Sequence, residues 1–110
     1  MTSEAEKALV IIYAEYLRRR NYGTDKKLAV KFPNAKLKAI DAFSSWDPSD
    51  IDSCLSELKS LEYIGKDILG NVTLLNRGIS YLQDKPREFF AKFAGFISDL
   101  LALIAAFASA

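Results

Sequence analysis

Residues 47–82 follow a helix, hairpin, helix order, and this order constrains the fold more than any other feature of the sequence. Asp47 and Pro48 predict a helix start, because aspartate is a favoured N-cap and proline suits the first helical position. Two short apolar runs then flank Leu69-Gly70-Asn71, which is typical of a β-hairpin. Asn76 is predicted to cap the next helix. The chain is therefore expected to be mostly α with a small β-hairpin, in the α+β class.

The sequence before this unit predicts three helices. Apolar residues recur every three or four positions over residues 3–20, which indicates an amphipathic helix. A second, short helix is predicted over residues 24–32 and ends before a proline. A third is predicted over about residues 35–43.

Two strings within residues 47–84 resemble parts of the winged helix-turn-helix superfamily. They are Leu55-x-x-Leu58-x-x-Leu61-Glu62-Tyr63-Ile64 and Val72-Thr73-Leu74-Leu75-Asn76-Arg77-Gly78-Ile79-Ser80-Tyr81-Leu82. The first is similar to the junction between helix and wing, and the second to the end of the wing and the following helix, in small bacterial and phage proteins of the YjcQ-like type. Glu62 stands where that pattern often has glycine, and Leu75 where it usually has threonine or serine. The resemblance implies a winged-helix-like domain over residues 4–84, of which residues 4–43 match by element order alone.

Several classes of chemistry are excluded by composition. The chain has no histidine, so zinc sites and nucleophiles activated by histidine are not expected. Its single cysteine, Cys54, falls on the apolar face of a predicted helix, where a core thiol is expected. The carboxylates of Asp47, Asp50 and Asp52 are expected to stabilise a helix N-terminus and not to bind a metal. The sequence thus predicts a protein that is not an enzyme and has no cofactor and no metal.

Opposite charges are concentrated in two parts of the chain. Residues 18–43 hold eight cations against two carboxylates, and this basic segment is predicted to contact phosphate or an acidic partner: Arg18, Arg19, Arg20, Lys26, Lys27, Lys31, Lys36 and Lys38. The helix that starts at Pro48 exposes Asp50, Asp52 and Glu57 on an acidic face. That face disfavours DNA readout and predicts a protein partner. The basic segment of one copy is also expected to attract the acidic face of another.

The C-terminal residues 86–110 are predicted to form one apolar helix. From Phe93 to Ala110 its one charged residue is Asp99. Bulky and small residues recur at helical spacing, and small side chains let helices approach closely. This pattern predicts a self-association surface formed by Phe93, Ala94, Ile97, Ser98, Leu101, Ala102, Ile104 and Ala106.

Three partners for this apolar helix stay open: the first helix of the same chain, a second copy, or a membrane contacted through residues 89–110. A helix this apolar is not expected to lie exposed on a soluble monomer. Insertion into a membrane would place Asp99 near the middle of the span, where a carboxylate is unfavourable by a few kcal/mol. Packing against the first helix or against a second copy is therefore favoured over membrane contact.

These features predict a non-enzymatic interaction and oligomerisation module of a bacterial or phage regulatory system, which forms homo-oligomers and binds a protein partner. The first alternative is a dimeric winged-helix transcription regulator that binds DNA. The second is a membrane-tethered adaptor. The first residues do not have the pattern of a secretory signal peptide, so a cytoplasmic location is expected, with membrane association as the alternative.

Overall fold

The computed structural model describes residues 1–108 and confirms a mostly helical α+β fold with one small antiparallel sheet. The elements within these residues are α1 (Ser3–Asn21), α2 (Lys26–Ala29), β1 (Lys31–Phe32), α3 (Asn34–Lys38), a 3-10 helix (Asp41–Phe43), α4 (Pro48–Ser60), β2 (Ile64–Lys66), β3 (Val72–Leu74), α5 (Asn76–Gln83), α6 (Arg87–Ala91) and α7 (Leu100–Ala108). Buried residues from Ala5 to Leu103 form one continuous hydrophobic core. The C-terminal segment is therefore part of the same core as residues 4–84.

Helix α1 is the central element of this core. All six residues from 9 to 14 are buried, whereas an amphipathic surface helix buries only one stripe. Helices α2, α4, α5 and α7 all pack against it. The apolar stripe that the sequence predicts is buried at all seven of its positions: Ala5, Ala8, Leu9, Ile12, Tyr13, Tyr16 and Leu17. Val10, Ile11 and Ala14 lie outside that stripe and are buried as well, because α1 has neighbours on more than one side.

The hairpin has a third strand beside it. As predicted, β2 and β3 pair antiparallel, with Ile64 opposite Leu74. Strand β1 then pairs with the free edge of β3, with Phe32 opposite Val72, so the strand order is β1-β3-β2. The prediction of one helix over residues 24–32 is wrong, because α2 ends at Ala29 and Phe32 is buried as part of the sheet.

The third predicted helix is divided. Helix α3 ends at Lys38, and a separate 3-10 helix follows, because Ile40 between them has an extended backbone with ψ of 130°. The turn buries Phe43 in the core, where its ring meets that of Trp46 edge-on with centres 5.3 Å apart. Packing of these aromatic rings decides the break.

Helix α4 begins as its sequence predicts. Asp47 is the N-cap, and its Oδ1 atom accepts hydrogen bonds from the amide and the hydroxyl of Ser49, each at 3.0 Å. These bonds lower the pKa of the Asp47 carboxyl below its usual value. Cys54 lies on the buried side of the helix, as predicted. By contrast, the predicted cap Asn76 is the first residue of α5, and its N-cap is Leu75.

Helix α4 ends in a Schellman motif. The Tyr63 amide donates to the Leu58 carbonyl, and the Glu62 amide donates to the Lys59 carbonyl. Glu62 has a φ of 62°, in the left-handed region that glycine adopts most readily. This conformation gives a physical reason for the glycine of the winged-helix pattern at this position.

Helix α5 approaches the start of the hairpin very closely at Gly78. A Cβ atom at this position would lie 2.5 Å from the Tyr63 carbonyl oxygen, which is shorter than real contacts of that kind. The Leu75 amide donates a hydrogen bond to the same carbonyl at 3.1 Å. Gly78 therefore has a packing role, since any larger residue would push α5 away from the sheet.

The prediction of a single helix over residues 86–110 is wrong. Helix α6 ends at Ala91, turns follow through residue 99, and α7 begins at Leu100, while residues 109–110 lie outside the described residues. A continuous helix would be about 37 Å long. The largest dimension of the whole molecule is also 37 Å, so such a helix would extend past α1. The turns instead fold the segment back and bury Phe90, Phe93 and Ile97.

Candidate functional site

The tip of the hairpin presents two adjacent apolar side chains to solvent. Ile68 is fully exposed and Leu69 is 72% exposed. Residues in such turns are usually polar, with glycine or asparagine where the backbone requires them. This exposed pair was not predicted, although two apolar residues directly before Gly70 and Asn71 were a usable signal. We refer to Ile68 and Leu69 as the apolar tip.

The backbone of the apolar tip is held by hydrogen bonds. Asp67 Oδ1 accepts from the amides of Leu69 and Asn71, each at 2.9 Å, and these bonds to Asn71 and Leu69 lower the pKa of the Asp67 carboxyl. Asn34, at the start of α3, donates from its side chain to the Leu69 carbonyl at 3.3 Å and from its amide to Asn71 Oδ1 at 3.0 Å. A turn ordered in this way loses little further backbone entropy when a partner binds.

Two arginines of the basic segment, Arg18 and Arg19, bind other residues of the same chain. The Arg18 guanidinium donates to both carboxylate oxygens of Asp99, at 2.8 and 2.6 Å, and also pairs with Glu15. The bond from Arg18 lowers the pKa of Asp99, and Asp99 raises that of Arg18. Arg19 donates to the Lys31 carbonyl at 2.6 Å and covers the Phe32 ring at 4.3 Å. These side chains stabilise the fold.

The other six cations divide into two groups. Arg20 donates to the Thr24 carbonyl at 3.0 Å, and Lys38 pairs with Asp52 at 3.1 Å. The remaining four are exposed and make no ion pair with a described residue: Lys26, Lys27, Lys31 and Lys36. These four lysines are carried by α2, β1 and α3. Of the eight cations predicted to contact phosphate, these four lysines are the ones that remain available for such a contact.

Two of the three residues of the acidic face are bonded to other parts of the chain. Asp52 pairs with Lys38, and Glu57 accepts hydrogen bonds from the amide and the hydroxyl of Thr2 at 2.7 and 2.9 Å. These bonds lower the pKa of the Glu57 carboxyl. Asp50 is exposed and makes no ion pair with a described residue. The attraction expected between copies is thus present within one chain, between Lys38 and Asp52.

The predicted self-association residues do not share one helix face. Phe93 and Ile97 are buried in the core of their own chain, and Ala94 and Ser98 lie in the turns between α6 and α7. The other four predicted residues, Leu101, Ala102, Ile104 and Ala106, belong to α7. The single-helix prediction grouped residues that the fold separates.

Helix α7 is apolar throughout but has only one fully covered side. Leu100 and Leu103 are buried, and the helix packs against α1, which confirms the first of the three partners considered for it. Leu101 and Ile104 are partly exposed, and Ala102 and Ala106 are exposed. Ile104 lies about 160° around the helix axis from Ala102 and Ala106 and borders a pocket with Phe107. We refer to the other three residues, Leu101, Ala102 and Ala106, as the outer side of α7.

The described residues contain no group of three side chains able to hold a metal ion. Burial raises the pKa of the Cys54 thiol, which disfavours the reactive thiolate. Within residues 1–108, no helix combines the length and the apolar character that a membrane crossing requires.

Comparisons of the chain with protein-family models, with curated proteins and with solved structures find no match. The resemblance to winged-helix proteins stays a prediction, based on the two strings and the element order.

Proposed function

We propose that this chain is a non-enzymatic interaction module of a bacterial or phage regulatory system, built on a winged-helix-like domain. It binds a protein partner through the apolar tip and self-associates through the outer side of α7. The observation that carries the proposal is the apolar tip itself, in which a fully exposed isoleucine precedes an exposed leucine whose backbone amide and carbonyl are hydrogen-bonded to Asp67 and Asn34. Ordered apolar surface of this kind is typical of interaction sites.

Self-association through α7 is supported by the composition of its outer side. Two alanines there permit close approach of a second helix, and Leu101 supplies apolar area beside them. Removal of apolar area from water favours association by roughly 25 cal/mol per Å² before the costs of ordering. These apolar side chains make no hydrogen bonds with water, which is consistent with their being covered by a second copy.

Sedimentation velocity over a concentration series, without detergent, tests this self-association. Wild type is expected to change from monomer to dimer as concentration rises. Ala102→Glu places a charge on the outer side of α7 and is expected to be monomeric. Ala35→Glu, at an exposed alanine of α3, is the matched control and is expected to behave as wild type. A wild-type protein that is monomeric at every concentration would refute this part of the proposal.

A photo-reactive amino acid at position 68 tests partner binding by the apolar tip. In bacterial extract, it is expected to cross-link to one protein at a level well above that of the same group placed at Ser60, an exposed position on α4. Leu69→Ser should reduce the yield of that adduct. Equal adducts from positions 68 and 60 would refute the role of the tip.

DNA binding is the second candidate, and the four exposed lysines on α2, β1 and α3 favour it. If each lysine neutralises one phosphate, log affinity should fall with log salt concentration with a slope of about −3.6. The acidic residues of α4 and the absence of a cation at residues 68–71 weaken this candidate. Fluorescence anisotropy with a random duplex at low ionic strength is the test, and no binding there would exclude it.

A membrane-tethered adaptor has less support. Contact through residues 89–110 would require Phe90, Phe93 and Ile97 to leave the core. Flotation with anionic liposomes would detect such contact.

A further inference from the structure

An open groove of about 490 Å³ lies between the C-terminal end of α4 and the hairpin. Lys59 lines it from α4, and Lys66 and the exposed Ile68 line it from the hairpin. Helix α4 packs against β2, which fixes the two sides of the groove relative to each other. The groove therefore places one residue of the apolar tip beside two lysines. We refer to it as the tip groove.

Neither lysine of the tip groove has a charged or aromatic partner among the described residues. Lys59 is exposed and Lys66 is partly exposed. Lys38 differs from them, because it forms an ion pair with Asp52 at 3.1 Å. The ammonium groups of Lys59 and Lys66 are therefore available to an acidic group of another molecule.

Asp67 also lines the tip groove, but its carboxylate is bonded within its own turn. Its Oδ1 atom accepts from the amides of Leu69 and Asn71, and its Oδ2 atom accepts from the Asn71 side chain at 3.1 Å. It makes no ion pair with either lysine. Two cations against this one carboxylate give the lining a net charge of +1.

The other carboxylates near this end of α4 have partners elsewhere. Glu57 accepts hydrogen bonds from the residue before α1, and Glu62 lies beside an arginine of α5. Asp50 makes no ion pair with a described residue, but it precedes Lys59 by nine positions, which is about 14 Å along a helix. The C-terminal end of α4 therefore offers unpaired positive charge, although the helix carries more carboxylates than lysines.

Ile68 distinguishes between two classes of acidic partner. The backbone of a nucleic acid would pair with the lysines but would leave the isoleucine side chain in water. A peptide offers carboxylates and an apolar side chain within a few residues, so it covers Ile68 and pairs with Lys59 and Lys66 together. Removal of the isoleucine surface from water favours the peptide.

We propose that the partner of the apolar tip binds the tip groove through an acidic peptide segment in which an apolar residue lies between carboxylates. The apolar residue contacts Ile68, and the carboxylates pair with Lys59 and Lys66. This inference rests on the proposed binding of a protein by the apolar tip. Ser60 lines the groove from the end of α4, away from the apolar contact, so a photo-reactive group there is expected to give less adduct than one at position 68.

Nuclear magnetic resonance titration of the full chain with the acetylated and amidated peptide Glu-Glu-Leu-Glu-Glu tests the proposal. The amide signals of Lys66 and Ile68 are expected to shift and to saturate, with a Kd of about 1 mM. Peptides with glutamine for every glutamate, or with serine for leucine, are expected to bind at least threefold more weakly. Absence of saturation at about 10 mM peptide would overturn the proposal. A random DNA duplex that shifts these signals when the peptide does not would also overturn it.

Two double variants with the same change in net charge separate the tip groove from a general effect of charge. Lys59→Gln with Lys66→Gln is expected to weaken peptide binding about fivefold, since it removes both charged partners of the carboxylates. Lys26→Gln with Lys27→Gln is the matched control, because these exposed lysines of α2 do not line the groove. Equal weakening by the two double variants would overturn the proposal.

Cross-linking from position 68 distinguishes failure of this inference from failure of the proposed function. If position 68 still gives more adduct than Ser60 in extract, and Lys59→Gln with Lys66→Gln leaves that yield unchanged, the partner binds the apolar tip without an acidic segment. The inference is then wrong and the proposed function stands. A fall in that yield of about fivefold supports both.

Discussion

Replacement of Glu62 by glycine is expected to stabilise the protein. Glu62 occupies the left-handed position of the motif that ends α4, with a φ of 62°. A residue with a Cβ atom is disfavoured in this conformation by about 1–2 kcal/mol. Glycine avoids that strain but loses about 0.5–1 kcal/mol more backbone entropy on folding. The difference predicts a gain of about 0.5–1 kcal/mol in the free energy of unfolding.

The Glu62 side chain offers little to oppose this gain. Its carboxylate is 75% exposed and lies 3.5 Å from Arg77 Nη1. Exposed ion pairs of this kind contribute little to stability. Glu62→Ala removes the ion pair but keeps the strained backbone, so it is the matched control. Its stability is expected to stay close to that of wild type.

Urea unfolding followed by circular dichroism measures these differences, and the midpoint of thermal unfolding should rise by about 2–5 °C in Glu62→Gly. The same motif ends α1, where Gly23 has a φ of 92° and no atom would contact an added Cβ. Gly23→Ala should therefore lower stability by about 1 kcal/mol. If Glu62→Gly is no more stable than Glu62→Ala, the assignment of strain to this position is refuted.

Three further substitutions test the packing of the chain. Gly78→Ala should lower the free energy of unfolding by about 2–3 kcal/mol, because the added Cβ would lie 2.5 Å from the Tyr63 carbonyl oxygen. Ser80→Ala, at an exposed position of the same helix, should leave it unchanged, and urea unfolding compares the two variants. Phe93→Ala should lower the free energy of unfolding by about 3–4 kcal/mol and weaken hydrogen-exchange protection in α7. Protection of α7 equal to that of wild type would contradict the packing of the C-terminal segment on the core. Asp99→Asn should lower stability at neutral pH. Since Arg18 lowers the pKa of Asp99 from 3.8, the bridge stabilises the fold above that pH, and the wild-type advantage should fade as pH falls below it.

The candidate surfaces show how far charge patterns in a sequence can be interpreted. Sequence position predicts which residues are charged, but their partners come from distant segments. Arg18 bonds to Asp99, and Thr2 bonds to Glu57. These pairs remove part of both predicted surfaces, and no local periodicity encodes them. The apolar tip, by contrast, has a local signal, because Ile68 and Leu69 directly precede the Gly-Asn turn, where polar residues are usual.

The elements that the sequence determined by itself are those whose causes are local. The N-cap of α4, the Gly-Asn turn and the apolar periodicity of α1 each depend on neighbouring residues, so α1, the start of α4 and the hairpin were predictable. Tertiary structure decided the rest. Strand β1 has two residues and exists because β3 offers a free edge. The C-terminal segment turns back because burial of Phe90, Phe93 and Ile97 against their own chain removes more apolar surface from water than a straight helix would.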